Sequence, residues 1–199
     1  MAFYNKINNK YNFVISFTDN PKEEFGIFAK SYFNAALQLA ENLLSKQNFP
    51  DYEPYPVVFL YRHSLELYLK NIIYKVAIIM AFKNIKGIDK KLHNNHDLKF
   101  LSKKATEILN RIFPNDKDIE NISNEILEIC TEMSVIDKDS YSYRYPIDKK
   151  GKHSTKRHQI INLEAFALSM NDLLEKLDTI NFGLNFERQE IFDILDSLN

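Results

Sequence analysis

Apolar side chains recur at three- and four-residue intervals along most of the chain, the spacing that lines one face of an α-helix. A short extended piece, "YNFVISFT", comes first, and Asp19-Asn20-Pro21 then reads as an N-cap followed by proline in a first turn. From there the pattern predicts a helix over about 21–46, with Phe25, Phe28, Ala29, Phe33, Ala36, Leu37, Ala40 and Leu44 on its apolar face. Three prolines within "NFPDYEPYP" stop it. A second helix is expected over about 55–83, closed near Gly87, and a lysine-rich loop leads to a third in "NNHDLKFLSKKATEILNRIF", capped at Asn95 or at His96-Asp97. Pro114-Asn115-Asp116 restarts a fourth, "DIENISNEILEICTEMSVI". Residues 137–160 lack sustained periodicity and suggest a loose hairpin. A fifth helix begins near Asn162, with a break expected at Gly183 before a short terminal helix. The whole, 1–199, reads as one all-α domain: a bundle of about five main helices with an irregular insertion near 137–160.

The second helix departs from simple amphipathicity. In "FLYRHSLELYLKNIIYKV" (residues 59–76), Arg62, Glu66 and Lys70 stack at i, i+4 and i+8, with His63 at the edge of the same strip. Ser64, Asn71 and Lys75 form another polar strip roughly opposite, and apolar residues fill the sectors between. One strip can face water; the other must face something else. A ladder of i,i+4 ion pairs accounts for the first strip without any function. Yet that strip lasts only two turns, and Phe59, Ile73 and Ala77 continue its azimuth with apolar side chains. A polar island in an apolar sector is unfavourable unless its charges are paired or meet a polar ligand, so the pattern hints at a cleft.

Composition narrows the classes. With four glycines and six prolines in 199 residues, an all-β fold full of tight turns is excluded, and 45% hydrophobic residues exclude wholesale disorder. The net charge of −1 provides no global basic field. Charge is nonetheless uneven: 83–104 and 149–158 are lysine-rich, while 116–139 and 164–199 hold most of the acid, which is either a solvated dipolar surface or a local site for a polyanion. The single cysteine, Cys130, sits in the apolar phase of its helix and excludes an internal disulfide framework. No signal-peptide pattern and no apolar run of membrane-spanning length is found, so a soluble cytoplasmic chain without membrane association is expected.

Two further clusters could complete a cleft. Asp97 sits where a carboxylate caps a helix, beside His96. His93 and His96 lack a further ligand at convincing spacing, so neither a metal site nor a cofactor is expected. "DSYSYRYPIDKKGK" offers Asp139, Tyr141, Tyr143, Arg144, Tyr145 and Asp148, where tyrosines beside a cation either stack on bases near phosphates or simply lie on the bundle.

Taken in order, "YRHSLELYLKNII", "NNHDLKFL" and "SYSYRYPID" resemble the HEPN superfamily (higher eukaryotes and prokaryotes nucleotide-binding), over roughly residues 55–180. Sequences of that superfamily show an E-x-x-x-K-like step on a long helix, a G-H-D-L-like helix start and an R-Y-P-like turn before a final helix. The resemblance implies a helical bundle that dimerises across a polar cleft, with a role in bacterial defence, toxin–antitoxin pairs or RNA processing. Active members are metal-independent RNases in which an arginine and a histidine act and the 2′-OH of RNA is the nucleophile. It further implies RNA or a nucleotide as ligand, and an antitoxin or nucleotidyltransferase as partner. The usual spacing, an arginine and then a histidine a few residues along one helix, is missing: Arg62-His63 and Arg157-His158 are adjacent.

Two readings follow. In the first, a variant RNase, His63 or His96 moves protons, Arg62, Arg144 and Lys70 stabilise phosphorane charge, and Glu66 orients Arg62 or His63. Asp97, Tyr141, Tyr143, Tyr145 and Asp148 would then contact the substrate. In the second, the same residues form a binding module without turnover.

Overall fold

The computed structural model describes residue 13 and residues 24–82, 95–137, 142–148, 150–155 and 160–197. Among these residues five helices follow one another: α1 (Phe25–Leu44), α2 (Pro54–Phe82), α3 (Leu98–Ile112), α4 (Lys117–Ile136) and α5 (Leu163–Ser197). Among the described residues there is no β-strand beyond one isolated bridge, so the molecule is an all-α bundle. The expected extended piece at 11–18 (Phe13 apart), the cap at Asp19-Asn20-Pro21, Gly87 with its lysine-rich loop, and His93 all lie outside the described residues.

Local chemistry explains where the helices begin. Asp97 accepts from the backbone N–H groups of Lys99 (2.9 Å) and Phe100 (3.3 Å), capping α3. Asp116 does the same for Asp118 (2.9 Å) and Ile119 (3.1 Å), capping α4 after a turn in which Asn115 adopts a positive φ of 66°. Asn162 Oδ1 accepts from Ala165 N at 3.0 Å and starts α5. Pro54 and Pro56 open α2 rather than merely ending α1, because the first-turn N–H groups have no intrahelical partner to lose.

Helix α2 is the axis of the bundle. Its contacts with α1 pair Ala29 with Ser64, Tyr32 with His63 and Phe33 with Tyr61, so the two helices run antiparallel. On α1 the buried stripe is Gly26, Ala29, Phe33, Ala36, Ala40 and Leu43, and its glycine and three alanines let α2 approach closely. Phe28 and Leu44, expected on that stripe, are instead 44% and 41% exposed. Toward α5, Tyr61 donates to Asn171 (2.6 Å), Tyr68 to Asp178 (2.8 Å) and Asn71 to Asn181. All three pairs are 110 residues apart, so α2 and α5 run parallel and in register.

Both polar strips of α2 are therefore internal, and the expectation that one faces water fails. Ser64 Oγ donates to the Ala29 carbonyl at 2.7 Å, and Lys75 joins Asn71 on Asn181. Burial, and then Asp178, push the Tyr68 phenol above its usual range.

Helix α5 is also longer than expected. It continues through Gly183 with no break and no separate terminal helix. Gly183 is exposed and nothing lies within 4 Å of where a Cβ would stand, so no packing conflict interrupts the helix there. The insertion does turn back on itself. Ile147 pairs with His153, Asp148 N donates to the Lys152 carbonyl (2.7 Å), and Gly151 supplies the positive φ (74°) of the turn. No described helix is long and apolar enough to cross a membrane.

The two helical glycines should respond oppositely to alanine. Gly183→Ala is expected to raise unfolding free energy by about 0.5–1 kcal/mol. Gly26→Ala is expected to lower it, because the new Cβ would stand 3.0 Å from Asn181 Nδ2 and 3.1 Å from Asn71 Nδ2, side chains held by Lys75 and by each other. Urea titration of both variants checks the signs.

Candidate functional site

Where α2 passes the start of α3 and the end of α4, Arg62 is 0% exposed. Its Nη1 donates to Glu66 Oε2 at 3.0 Å, and its Nη2 donates to the His96 carbonyl at 2.8 Å and the Asp137 carbonyl at 3.4 Å. Nε lies 3.0 Å from Asp137 Oδ2; the N–H is not aimed at that oxygen, so the contact is an ion pair rather than a hydrogen bond. Asp137 Oδ1 in turn accepts from Ser142 N at 3.0 Å. One guanidinium thus joins α2 to the entry of α3, the exit of α4 and the insertion.

Glu66 is the hub on the other side. Oε1 accepts from Lys70 Nζ at 2.9 Å and lies 2.8 Å from His96 Nδ1, while Oε2 takes Arg62. Burial pushes this carboxyl up, but Lys70, Arg62 and His96 together outweigh it, and the net effect is a carboxyl held below its ordinary range. Glu66 is therefore an anion at neutral pH. Two buried carboxylates face two buried cations, Arg62 and Lys70, which is the condition under which charges persist away from water.

His96 is the outward member. Its side chain is 51% exposed even though Nδ1 is tied to Glu66. An ionised carboxylate accepts only, so Nδ1 carries the proton and Nε2 is the nitrogen left to bind or release one. The backbone is fixed too, through the Arg62 bond to the His96 carbonyl and the cap at Asp97. A carboxylate, an imidazole and a free ring edge in that order make an acid–base group with a fixed tautomer.

His63 turns the other way, toward α1. Its ring meets Tyr32 edge-on (centroids 4.5 Å apart) and stacks on Phe59 (5.6 Å). The Arg144 guanidinium lies over that same Phe59 ring at 5.6 Å and over Tyr145 at 5.7 Å. Burial lowers the His63 imidazole below its usual range; Glu66 opposes this, and Arg62, Lys70 and Arg144 reinforce it. His63 is thus neutral at pH 7. Tyr143 packs edge-on against Tyr55 (6.0 Å), and burial, then Asp137, push its phenol up to about 12.

The expected residues therefore fall into three groups. Glu66 touches Arg62, Lys70 and His96 directly, and Arg62 also reaches the His96 carbonyl, joining α2 to the entry of α3. His63, Arg144, Tyr143 and Tyr145 form an aromatic and cationic shelf linked to that network electrostatically through His63. Asp97 is a helix cap, and Asp148 accepts from the N–H groups of Lys150 (2.8 Å) and Lys152 (2.9 Å), so it shapes the hairpin turn. Tyr141 and Asp139 lie outside the described residues. Asp137 was not singled out by sequence; the only signal for it is an acidic residue just past a helix end. Among the described residues no group of histidine, cysteine and carboxylate side chains could hold a metal ion.

Comparison of the chain with protein-family models, with curated proteins and with solved structures gave no match.

Three outcomes test this network. Arg62→Met takes the buried Asp137 and Glu66 carboxylates away from their shared cation, and should cost about 3–5 kcal/mol in urea unfolding. The Glu66 carboxyl is held below its ordinary value of 4.5, so its contribution is complete above that pH and is lost as pH falls through its folded value. Glu66→Gln should therefore flatten the acid limb of a stability–pH curve. For His63, whose ring is depressed from 6.5, the unfolded chain binds the proton first, so stability declines as pH drops below that value. His63→Phe should remove that part of the slope.

Proposed function

We propose that this protein is a HEPN-like, metal-independent endoribonuclease of a toxin–antitoxin or phage-defence system, with His96 as its acid–base group. The observation that carries the reading is the 2.8 Å contact between a buried, ionised Glu66 and a half-exposed His96. The order of the three HEPN-like segments and the helical bundle agree with it. A soluble, cytoplasmic homodimer facing an antitoxin or nucleotidyltransferase partner belongs to the same proposal.

In this mechanism His96 Nε2 takes the proton of a ribose 2′-OH. The 2′-oxygen attacks the adjacent phosphorus, the P–O5′ bond breaks, and the departing 5′-oxygen collects a proton from water. The products are a 2′,3′-cyclic phosphate and a 5′-hydroxyl. Glu66 compensates the positive charge that develops on the ring, and Arg144 neutralises charge on the phosphorane. Arg62 has no exposed atom, so it is a positioning residue that holds the His96 backbone and Glu66. Tyr145 and Arg144 offer flat faces to a base. The His63 ring is filled by Tyr32 and Phe59 and serves as a wall.

A second reading has its own observation. Arg62, Glu66 and Lys70 satisfy one another without any ligand, as in a structural network that supports a nucleotide- or partner-binding module.

Single-stranded and tRNA-like substrates incubated in EDTA are expected to yield cyclic-phosphate ends. His96→Ala should lower the rate about 10²–10⁴-fold. Glu66→Gln should lower kcat, because the ring loses the anion that fixes its tautomer and compensates its developing charge. A broad RNA panel left intact both in EDTA and in divalent metals would reject the enzyme in favour of the binding module, for which calorimetry with nucleotides is the positive test.

A further inference from the structure

Lys176 of α5 reaches across to Glu125 of α4 (2.8 Å) while also pairing with Asp172 on its own helix (2.5 Å). Beside that ion pair, residues of both helices line a groove of about 530 Å³. Val58, Ile129, Met133, Phe166 and Met170 form its apolar floor. Glu125, Glu128, Glu132 and Asp172 stand along it.

We propose that this groove is the docking site for a basic amphipathic helix of another protein. Its lining runs from Glu125 to Met133 on α4 and from Asn162 to Asp172 on α5, or about 12–15 Å at 1.5 Å per residue, two to three helical turns. Laying a third helix beside two others buries an apolar stripe read at i, i+3, i+4 and i+7. The apolar surface continues past the floor: Leu168 is 65% and Ile160 98% exposed.

Charge selects the occupant. Glu128 and Glu132 have no ion pair among the described residues, and they sit four apart on one helix, where like charges repel. Lysine or arginine flanking an incoming apolar stripe would relieve that repulsion. A nucleic-acid backbone would add to it, so this face does not suit the polyanion proposed for the His96 side. The inference does not rest on the ribonuclease reading, and its test needs no RNA.

The probe is a fluorescein-labelled designed helix with leucines at i, i+3, i+4 and i+7 flanked by lysines, titrated with the full chain and followed by anisotropy. Its control has the lysines replaced by glutamates. The basic peptide is expected to bind at least tenfold more tightly than the acidic one, and to weaken as salt rises from about 50 to 500 mM. Glu128→Lys with Glu132→Lys should reverse the preference, and Ala165→Arg, which fills the groove from an exposed position, should weaken binding at least tenfold; circular dichroism confirms that each variant is folded. Equal affinity for both peptides, or affinity unchanged in these variants, overturns the proposal. So does a self-associated chain that Ala165→Arg converts to monomer, since the occupant would then be a second copy.

Discussion

A guanidinium withdrawn completely from water must find compensating charge inside the protein, and Arg62 finds it in two carboxylates from different parts of the chain. Glu66 comes from the same helix, one turn on, and Asp137 from the far end of α4. The remaining donor reaches the carbonyl of His96, where α3 begins. Desolvating such a group is so unfavourable that any arrangement leaving one of its partners elsewhere is heavily penalised. That constraint fixes how α3 and α4 meet α2, and it pins the residue immediately before the α3 cap. Helix packing alone, with its broad tolerance for sliding and rotation, would leave that meeting point less defined.

The same logic runs through the opposite side of α2. Tyr61, Tyr68, Asn71 and Lys75 all direct their polar atoms to α5, at residues seven and then three apart, so the seam keeps two helices parallel and in register. Apolar packing supplies most of the driving force for burial, and the polar pairs select one alignment among several of similar burial. With both of its polar strips committed inward, α2 has little chemistry left for solvent. What it offers outward is indirect: through Glu66 it holds the tautomer of His96, and through Phe59 it supports Arg144.

The outward-facing features differ in character. His96 turns half of its ring outward from Glu66, and Arg144 lies on the Phe59 and Tyr145 rings, so these positions present an imidazole, a cation and aromatic faces. Between α4 and α5 the surface combines an apolar floor with carboxylates, chemistry suited to a cationic, apolar ligand. Tyr143 lines that groove and also packs against Tyr55 at the start of α2. The uneven charge along the chain therefore has a spatial counterpart in the acidic wall contributed by α4.

Periodicity was sufficient for the helices, because burying one stripe of each helix is a local requirement written every three or four residues. Caps were legible for the same reason: Asp97 and Asp116 act on N–H groups two and three positions away. Gly183 misled, since a helix tolerates an exposed glycine when its neighbours carry the propensity and no steric conflict ends it. The sequence also contained the Arg62–Glu66–Lys70 ladder and placed His96 near it in order. It could not reveal Asp137, seventy-five positions from Arg62, nor that neighbours Arg62 and His63 turn to different helices. Nor could it say that both polar strips of α2 are buried. Which face of a helix meets water depends on how many helices surround it, and that is decided by contacts between segments remote in sequence, which no local pattern encodes.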